Sequence, residues 1–194
     1  LVENIYVNNV NMKDIPAEAI LFDMYYMAKD PVVLAGEKRE PPKVEFKPVD
    51  ETTPQFRNFY FRNITCNGAA KGIFVRGIPE MHVKNIWIEN AVLQASEGID
   101  IQEASNINLK NITMISKNTR PVAYVLNSDS IRIDGLRFKD SAEVLLQVQG
   151  ERSKDIQLLN SNTAAATQKL IVGFGAGEAM VSWTLPAATE PAKK

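Results

Sequence analysis

Cysteine and histidine are almost absent from this chain of 194 residues, which contains one of each, Cys66 and His82. A lone cysteine excludes an intramolecular disulfide. One residue of each kind also cannot supply the ligands of a structural zinc site. We therefore expect no metal site and no cofactor.

Neither sign of charge is in excess, and long hydrophobic runs are lacking. Lys and Arg number 22 against 23 Asp and Glu, which gives a net charge of -1. A general nucleic-acid-binding domain carries a basic patch and a high pI, so this balance argues against that class. No apolar run approaches the roughly 18 residues of a membrane-spanning helix, so no membrane partner is expected.

A short pattern recurs along the chain: Asn, apolar, any, apolar, any, Asn, apolar, any, apolar. Successive copies start 54, 27, 21, 24 and 25 residues apart, so the first interval is about one period too long. A fixed period of this length is the sequence signature of stacked repeats. The clear copies begin at Asn4, Asn58, Asn85 and Asn106, and weaker ones begin at Ser130 and Asp155.

Each copy is followed, about 15 residues on, by a second short apolar segment, and no segment between them has a helical 3.6-residue period. A unit made only of short strands and turns is typical of a parallel β-helix. We predict an all-β fold, a right-handed parallel β-helix of about six coils spaced about 4.8 Å apart. A β-sandwich also has many short strands, but it does not explain the fixed period. The second segments are AILFD (19–23), GIFVR (72–76), GIDIQ (98–102), VAYVL (122–126), LLQVQ (145–149) and LIVGF (170–174).

The recurring asparagines have a structural interpretation. Each coil must bend between strands, and Asn tolerates bend conformations and bonds free backbone groups. Stacked Asn amides can also hydrogen-bond to one another in a ladder. The apolar positions between them are predicted to face the core, and Cys66 occupies one of these. The pairs are Asn4/Asn9, Asn58/Asn63, Asn85/Asn90 and Asn106/Asn111.

Two segments depart from the repeat. Residues 28–55 are rich in Pro and charged residues and have no core pattern, so we interpret them as a loop inserted into the β-helix domain of residues 1–184. The tail, residues 185–194 (LPAATEPAKK), is predicted to be disordered.

The run VENIYVNNVNMKDIPAEAILFDMYY, residues 2–26, resembles part of the family-28 glycoside hydrolases, the polygalacturonases and their rhamnogalacturonan-cleaving relatives. The family reads V-x-N-I-x-x-x-N-I, then an apolar strand with an acidic residue and a Tyr three positions on. Here these are Val2, Asn4, Ile5, Asn9, Val10, Asp23 and Tyr26. The next coil, FRNFYFRNITCNGAAKGIFVRGIPEMHVKNIWIENAVL, is also similar, and the likeness extends over roughly residues 2–115.

The catalytic motifs of that family do not occur in this sequence. They are Asn-Thr-Asp, Asp-Asp, Gly-His-Gly and Arg-Ile-Lys, and none is found in residues 1–194. In the family they lie upstream of the matching segment. The resemblance therefore implies that this chain is the C-terminal half of a glycosidase and is inactive alone. The implied reaction is inverting hydrolysis of a pectic polysaccharide, in which one carboxylic acid protonates the leaving oxygen and another activates water.

The predicted substrate-binding residues are Tyr26, Asp23 and Arg76. The Tyr of the acidic-x-x-Tyr pattern lines the substrate cleft in the family, which makes Tyr26 the residue carried over. A Tyr ring packs on sugar C–H faces, although Tyr26 could instead pack the base of the insert. Strand alternation places Asp23 and Arg76 outward on adjacent coils. Arg76 could then bind a uronate carboxylate as a fork, or the two could form an ordinary cross-strand ion pair, which we favour.

Three further interpretations concern the outward side chains and His82. Asp23 and Asp100 lie two coils apart, about 9.6 Å, which is near the spacing of an inverting acid pair, but Arg76 intervenes. Phe74 and Tyr124 could form a sugar-stacking patch or lie under the insert. His82 is predicted at a turn between strands, without a Ser or Cys partner for a triad.

The resemblance implies a pectic polysaccharide partner, polygalacturonan or rhamnogalacturonan, and a periplasmic or secreted location, in a bacterium. A non-catalytic β-helix module that binds carbohydrate or protein is the alternative. A β-helix lyase is less favoured, because no cluster of Asp for Ca²⁺ is seen. The first coil should leave unpaired backbone edges, so we expect another chain or the insert to cover it.

Overall fold

Fourteen strands and two short 3₁₀ helices make up the described part of the computed structural model, residues 1–25, 46–138 and 141–185. Every described strand lies in at least one parallel pair. Among the described residues no helix is long and apolar enough to cross a membrane. The strands are β1 (Val2–Lys13), β2 (Glu18–Asp23), β3 (Phe56–Asn67), β4 (Lys71–Arg76), β5 (Val83–Ala95), β6 (Glu97–Gln102), β7 (Ala104–Ser116), β8 (Ala123–Leu126), β9 (Asp129–Asp134), β10 (Arg137–Phe138), β11 (Ala142–Gln149), β12 (Lys154–Leu159), β13 (Ala166–Gly173) and β14 (Val181–Thr184). The 3₁₀ helices are Thr163–Ala165 and Glu178–Met180.

The strands form two sheets that alternate along the chain. The first sheet runs β1-β3-β5-β7-β9-β12-β14, with β10 beside β7, and the second runs β2-β4-β6-β8-β11-β13. The chain thus winds as a β-solenoid of about five turns, which confirms the predicted parallel β-helix. The short β10 was not predicted.

Strand register confirms the predicted repeat. Neighbouring strands of the first sheet are offset by 54, 27, 21, 24 and 25 residues, the spacing between the recurring patterns. The aligned backbone pairs are Val2–Phe56, Arg57–Lys84, Lys84–Ser105, Ser105–Asp129 and Asp129–Lys154. The sequence period therefore corresponds to one turn of the solenoid, and the first interval contains the insert.

The asparagines form two ladders, as predicted. In the first ladder, amide N–H groups of Asn58, Asn85 and Asn106 donate to the preceding Asn at 3.1, 2.9 and 2.9 Å. In the second ladder, Asn63, Asn90 and Asn111 donate at 2.9, 3.4 and 3.2 Å. All eight residues have φ between 52° and 62°, the left-handed region that Asn tolerates better than most residues. Each Asn thus turns the chain inside a long strand and hydrogen-bonds to the next turn.

The core is filled by the predicted inward positions. Ile20, Phe22, Ile73, Val75 and Ile99 are each 5% exposed or less. Cys66 is buried as expected, and its burial raises the pKa of the thiol.

Parts of the two irregular segments lie outside the described residues. Of the predicted insert, residues 28–45 are outside, whereas 46–55 connect into β3, and the Gln55 carbonyl accepts a bond from the Val2 amide at 2.8 Å. Of the predicted tail, residues 186–194 are outside the described part.

Candidate functional site

The outer row, which we define as the outward side chains of the second sheet, carries the predicted site residues. Backbone register aligns Asp23, Arg76, Gln102, Leu126 and Gln149 in one column of this row. A neighbouring column contains Leu21, Phe74, Asp100, Tyr124 and Gln147. Strand alternation therefore predicted which side chains share this face.

Most of the outer row is buried, although the outer face of a β-helix ordinarily meets solvent. Arg76 is 7% exposed, Asp100 and Tyr124 are 1% exposed, and Gln102 is fully buried. Tyr25, just after β2, packs against the buried cluster of Tyr124 and Leu126. Phe74 and Tyr124 are therefore not an exposed sugar-stacking patch.

Asp23 and Arg76 form a two-point ion pair. Arg76 Nε donates to Asp23 Oδ1 at 3.0 Å, and Nη2 donates to Oδ2 at 2.7 Å. The Tyr25 amide donates to Asp23 Oδ1 at 2.9 Å, while the guanidinium lies 5.2 Å from the Tyr25 ring and 5.1 Å from the Phe74 ring. The structure thus contains the cross-strand ion pair that we favoured. Uronate binding by Arg76 stays a prediction, and Tyr26 lies outside the described residues.

Lys71 and Asp100 form a second ion pair on the same face. Lys71 Nζ lies 2.7 Å from Asp100 Oδ2 and 3.3 Å from Glu97 Oε2, and it stands 4.3 Å from the centre of the Phe74 ring. Gln102 Nε2 donates to the other Asp100 oxygen at 2.8 Å. Both carboxylate oxygens of Asp100 are therefore bonded, which satisfies the requirement that a buried charge be paired.

The two ion pairs contain both carboxylates that were considered as an inverting acid pair, Asp23 and Asp100. Each carboxylate lies 2.7 Å from the nitrogen of a cationic side chain, so both are engaged in ion pairs. An inverting pair needs one carboxylic acid that keeps its proton. The geometry consequently favours structural roles for these two carboxylates over proton transfer.

A cluster around Glu103, not anticipated from the sequence, adjoins the outer row. Glu103 is 1% exposed, and its Oε1 accepts bonds from Arg152 and, at 3.1 Å, from Asn127 Nδ2. His82 Nε2 lies 3.3 Å from Glu103 Oε2, and His82 Nδ1 lies 3.6 Å from Asp129 Oδ2. The Glu103–His82 contact lacks hydrogen-bond geometry. His82 therefore lies in the connection between strands, as predicted, but it contacts carboxylates from two later turns.

Part of the Glu103 cluster could have been predicted from the repeat. Glu103 and Asn127 directly follow the paired residues Gln102 and Leu126, and both have left-handed φ, 47° and 46°. The register therefore places them on adjacent turns. Arg152 comes from the turn after β11 and also donates to the Pro79 carbonyl at 3.4 Å. No spacing in the sequence predicts that long-range contact.

Sequence reasoning also missed the aromatic column, which we define as Tyr6, Tyr60 and Trp87 on the outside of the first sheet. Their rings stack face to face, with centroids 4.7 and 4.8 Å apart and planes 8° and 5° apart. Tyr6 is 67% exposed. All three occupy the third position of the repeat, so the predicted register already aligned them on successive turns.

The chain matches no family model, no curated protein and no solved structure. The implications of the family-28 resemblance therefore remain proposals, supported by the quoted residues and by the fold.

Metal ligands and cationic side chains are the chemical groups to consider at this site. Within residues 1–25, 46–138 and 141–185, no group of three or more His, Cys, Asp or Glu side chains is placed to hold a metal ion. The cations Lys71 and Arg76 each lie beside the Phe74 ring. Both cations are already paired with carboxylates.

Proposed function

We propose that this chain is the β-helical portion of a polygalacturonase-like glycoside hydrolase and that it binds acidic pectic polysaccharide without cleaving it alone. The substrate class is polygalacturonan or rhamnogalacturonan, and the working location is the periplasm or the outside of the cell. The observation that carries the proposal is the pairing of Arg76 with Asp23 beside Tyr25, where the family resemblance places the substrate cleft.

The fold supports this proposal because its turns coincide with the family-like repeat. The segment of resemblance, roughly residues 2–115, covers β1 to β7, and every Asn pair quoted for it lies in a ladder. A shared fold does not establish a shared function, so the argument depends on the side chains of the outer row.

The side chains favour binding over catalysis. Asp23 and Asp100 face cations, and the sequence contains none of the four catalytic motifs of the family. Arg76 is held in a fixed orientation by Asp23, and Tyr26 follows Tyr25 in the chain. A uronate carboxylate approaching Arg76 would share the guanidinium with Asp23, and the Tyr26 ring would pack on the sugar face.

Calorimetric titration with two forms of the same polymer tests the proposal. De-esterified oligogalacturonate should bind, more weakly as ionic strength rises, because the attraction between charges is screened. Fully methyl-esterified oligogalacturonate lacks the carboxylates and should bind much less. Tyr26→Ala should weaken binding about threefold to tenfold, by analogy with other aromatic contacts. Equal binding of both polymers, or no binding by the folded chain, would refute the proposal, and reducing-sugar release would refute the assignment as non-catalytic.

The alternative function, a carbohydrate-binding module unrelated to cleavage, is favoured by the aromatic column. Its rings lie in a row on an accessible face, and Tyr6 is 67% exposed. In that case Tyr6→Ala, and not Tyr26→Ala, should weaken binding, and neutral oligosaccharides should bind as well as acidic ones. The same titrations therefore separate the two functions.

A further inference from the structure

The aromatic column holds two tyrosines against each other on neighbouring turns. Tyr6 in β1 and Tyr60 in β3 occupy aligned backbone positions, and their ring centroids are 4.7 Å apart with planes 8° apart. Because the two strands are parallel and in register, both side chains leave the sheet on the same face and their rings run side by side. Like carbons of the two phenol rings are therefore neighbours, and the backbone fixes this arrangement.

Solvent and small reagents reach this pair from the outside of the first sheet. Tyr6 is 67% exposed, and Tyr60 is half-buried. Tyr124, by contrast, is 1% exposed, and its hydroxyl donates to Gln149 Oε1 at 2.9 Å. An accessible phenol can lose an electron to an oxidant while its hydroxyl proton passes to water, whereas a buried phenol is shielded from both.

We propose that Tyr6 and Tyr60 are an oxidative modification site, at which hydrogen peroxide, acting through a heme peroxidase, joins the two rings as an intramolecular dityrosine. Each phenol loses one electron to the oxidant and its hydroxyl proton to water, which leaves two phenoxyl radicals. The radicals combine in one C–C bond between their Cε carbons. The hydrogens on those two carbons then move to the oxygens as protons, which restores both phenols.

The oxidant accounts for the remaining atoms and electrons of this step. One hydrogen peroxide molecule accepts the two electrons and two protons and becomes two water molecules. The product therefore differs from the starting chain by the loss of two hydrogen atoms. This proposal is independent of the proposed function, which concerns the second sheet.

The cross-link would tie the first turn to the second across a long loop. Tyr6 and Tyr60 are 54 residues apart, and the predicted insert, residues 28–55, lies between them. A covalent bond across such a loop restricts the unfolded chain, as a disulfide does. It would also hold β1 on β3 when the hydrogen bonds between the two strands open.

Peroxidase treatment of the whole chain tests the proposal. In dilute protein with limiting hydrogen peroxide, the monomer should lose two hydrogen atoms in intact mass and gain the fluorescence of dityrosine. Peptide mapping should find a β1 peptide joined to a β3 peptide. Tyr6→Phe and Tyr60→Phe keep an aromatic ring in the stack but remove a phenol, so each should abolish this product. Trp87→Phe, in the same column, and Tyr25→Phe, on the second sheet, are the matched controls and should retain it.

Hydrogen exchange measures the structural consequence. In the cross-linked chain the β1 amides should exchange about tenfold more slowly than in the untreated chain, whereas the β7 amides should not change. Tyr6→Phe exposed to the same oxidant controls for other oxidation and should show no change at β1.

Several results would overturn the proposal. These are a monomer that loses no hydrogen, a product that survives Tyr6→Phe or Tyr60→Phe, or cross-links found only between chains. A cross-link that forms as readily in the urea-unfolded chain would also refute it, because the stacking would then contribute nothing. Unchanged exchange of the β1 amides in the cross-linked chain would refute the predicted hold of β1 on β3.

Discussion

At the scale of single residues, asparagine contributes both a backbone conformation and a side-chain bond. A side chain with a Cβ in the left-handed region costs about 1–2 kcal/mol, less for Asn because its amide bonds locally. Asn85 shows both contributions, because it has φ of 59°, donates to Asn58 and accepts from Asn106, each at 2.9 Å. The two contributions can be separated by substitution.

Substitutions of Asn85 should therefore differ in cost. Asn85→Gly keeps the backbone conformation and loses two hydrogen bonds, so it should lower the free energy of unfolding by about 1–2 kcal/mol. Asn85→Ala should cost about 1–2 kcal/mol more, because Ala is strained at this φ. Urea denaturation measures both. Asn8→Ala, at an exposed position outside the ladders, is the control and should change stability by less than about 0.5 kcal/mol. Equal costs for Gly and Ala would contradict the strain argument.

Asp134 gives a pH dependence at the same scale. Its pKa is lowered from 3.8, mainly because Asn160 Nδ2 donates to Oδ1 at 2.7 Å, with a further contribution from Arg132. A lowered pKa in the folded state adds stability above the unfolded pKa, and that stability is lost as pH falls through the folded pKa. The stability difference between wild type and Asp134→Asn should thus shrink as pH is lowered below about 4. Asn160→Gly, which keeps the left-handed φ of 49°, should reduce the same dependence. A difference that is independent of pH from 7 to 2 would refute this account.

At the scale of strands, the second sheet requires close approach between neighbouring turns. Gly98, in β6, shows this, because a Cβ at this position would lie 2.1 Å from the Val122 carbonyl oxygen. Backbone cannot move aside as the end of a flexible side chain can, and Ile99 next to it pairs with Ala123 in β8. Any side chain at residue 98 must therefore separate β6 from β8.

Gly98→Ala should cost about 3 kcal/mol or more in unfolding free energy, because overpacking against backbone displaces a paired strand. The matched control is Gly177→Ala, where no atom lies within 4 Å of the added Cβ. It should be within about 0.5 kcal/mol of wild type. Urea denaturation of both variants is the measurement, and a neutral Gly98→Ala would show that β6 and β8 lie farther apart than described.

Strand register could be predicted from the sequence because it is encoded locally, in an Asn pair that recurs within each strand. The same register placed Asp23 beside Arg76 and contained the aromatic column. The burial of Asp100 and Tyr124 could not be predicted, because strand alternation shows which side chains face outward but not which of them are covered. The contact of Arg152 with Glu103 joins residues from different turns through side-chain reach, which no period encodes.

At the scale of the whole molecule, the solenoid has a gradient of burial along its axis. Ile86, Ile107 and Ile131 are fully buried at one position of successive turns, whereas Ile5 at the same position of β1 is 40% exposed. In stacked repeats each turn contacts only its neighbours, so stability is a sum of local and nearest-neighbour terms. A terminal turn with one neighbour should open more readily than an interior turn with two.

Matched substitutions along this column should show the gradient. Ile107→Ala creates a cavity between two turns and should cost about 2–5 kcal/mol, as large-to-small core changes do. Ile5→Ala removes a side chain that is 40% exposed and should cost less than about 1.5 kcal/mol. Urea denaturation gives both values, and native-state hydrogen exchange should show the β1 amides opening at lower free energy than those of β7. Equal costs for the two substitutions would contradict this gradient of stability along the solenoid.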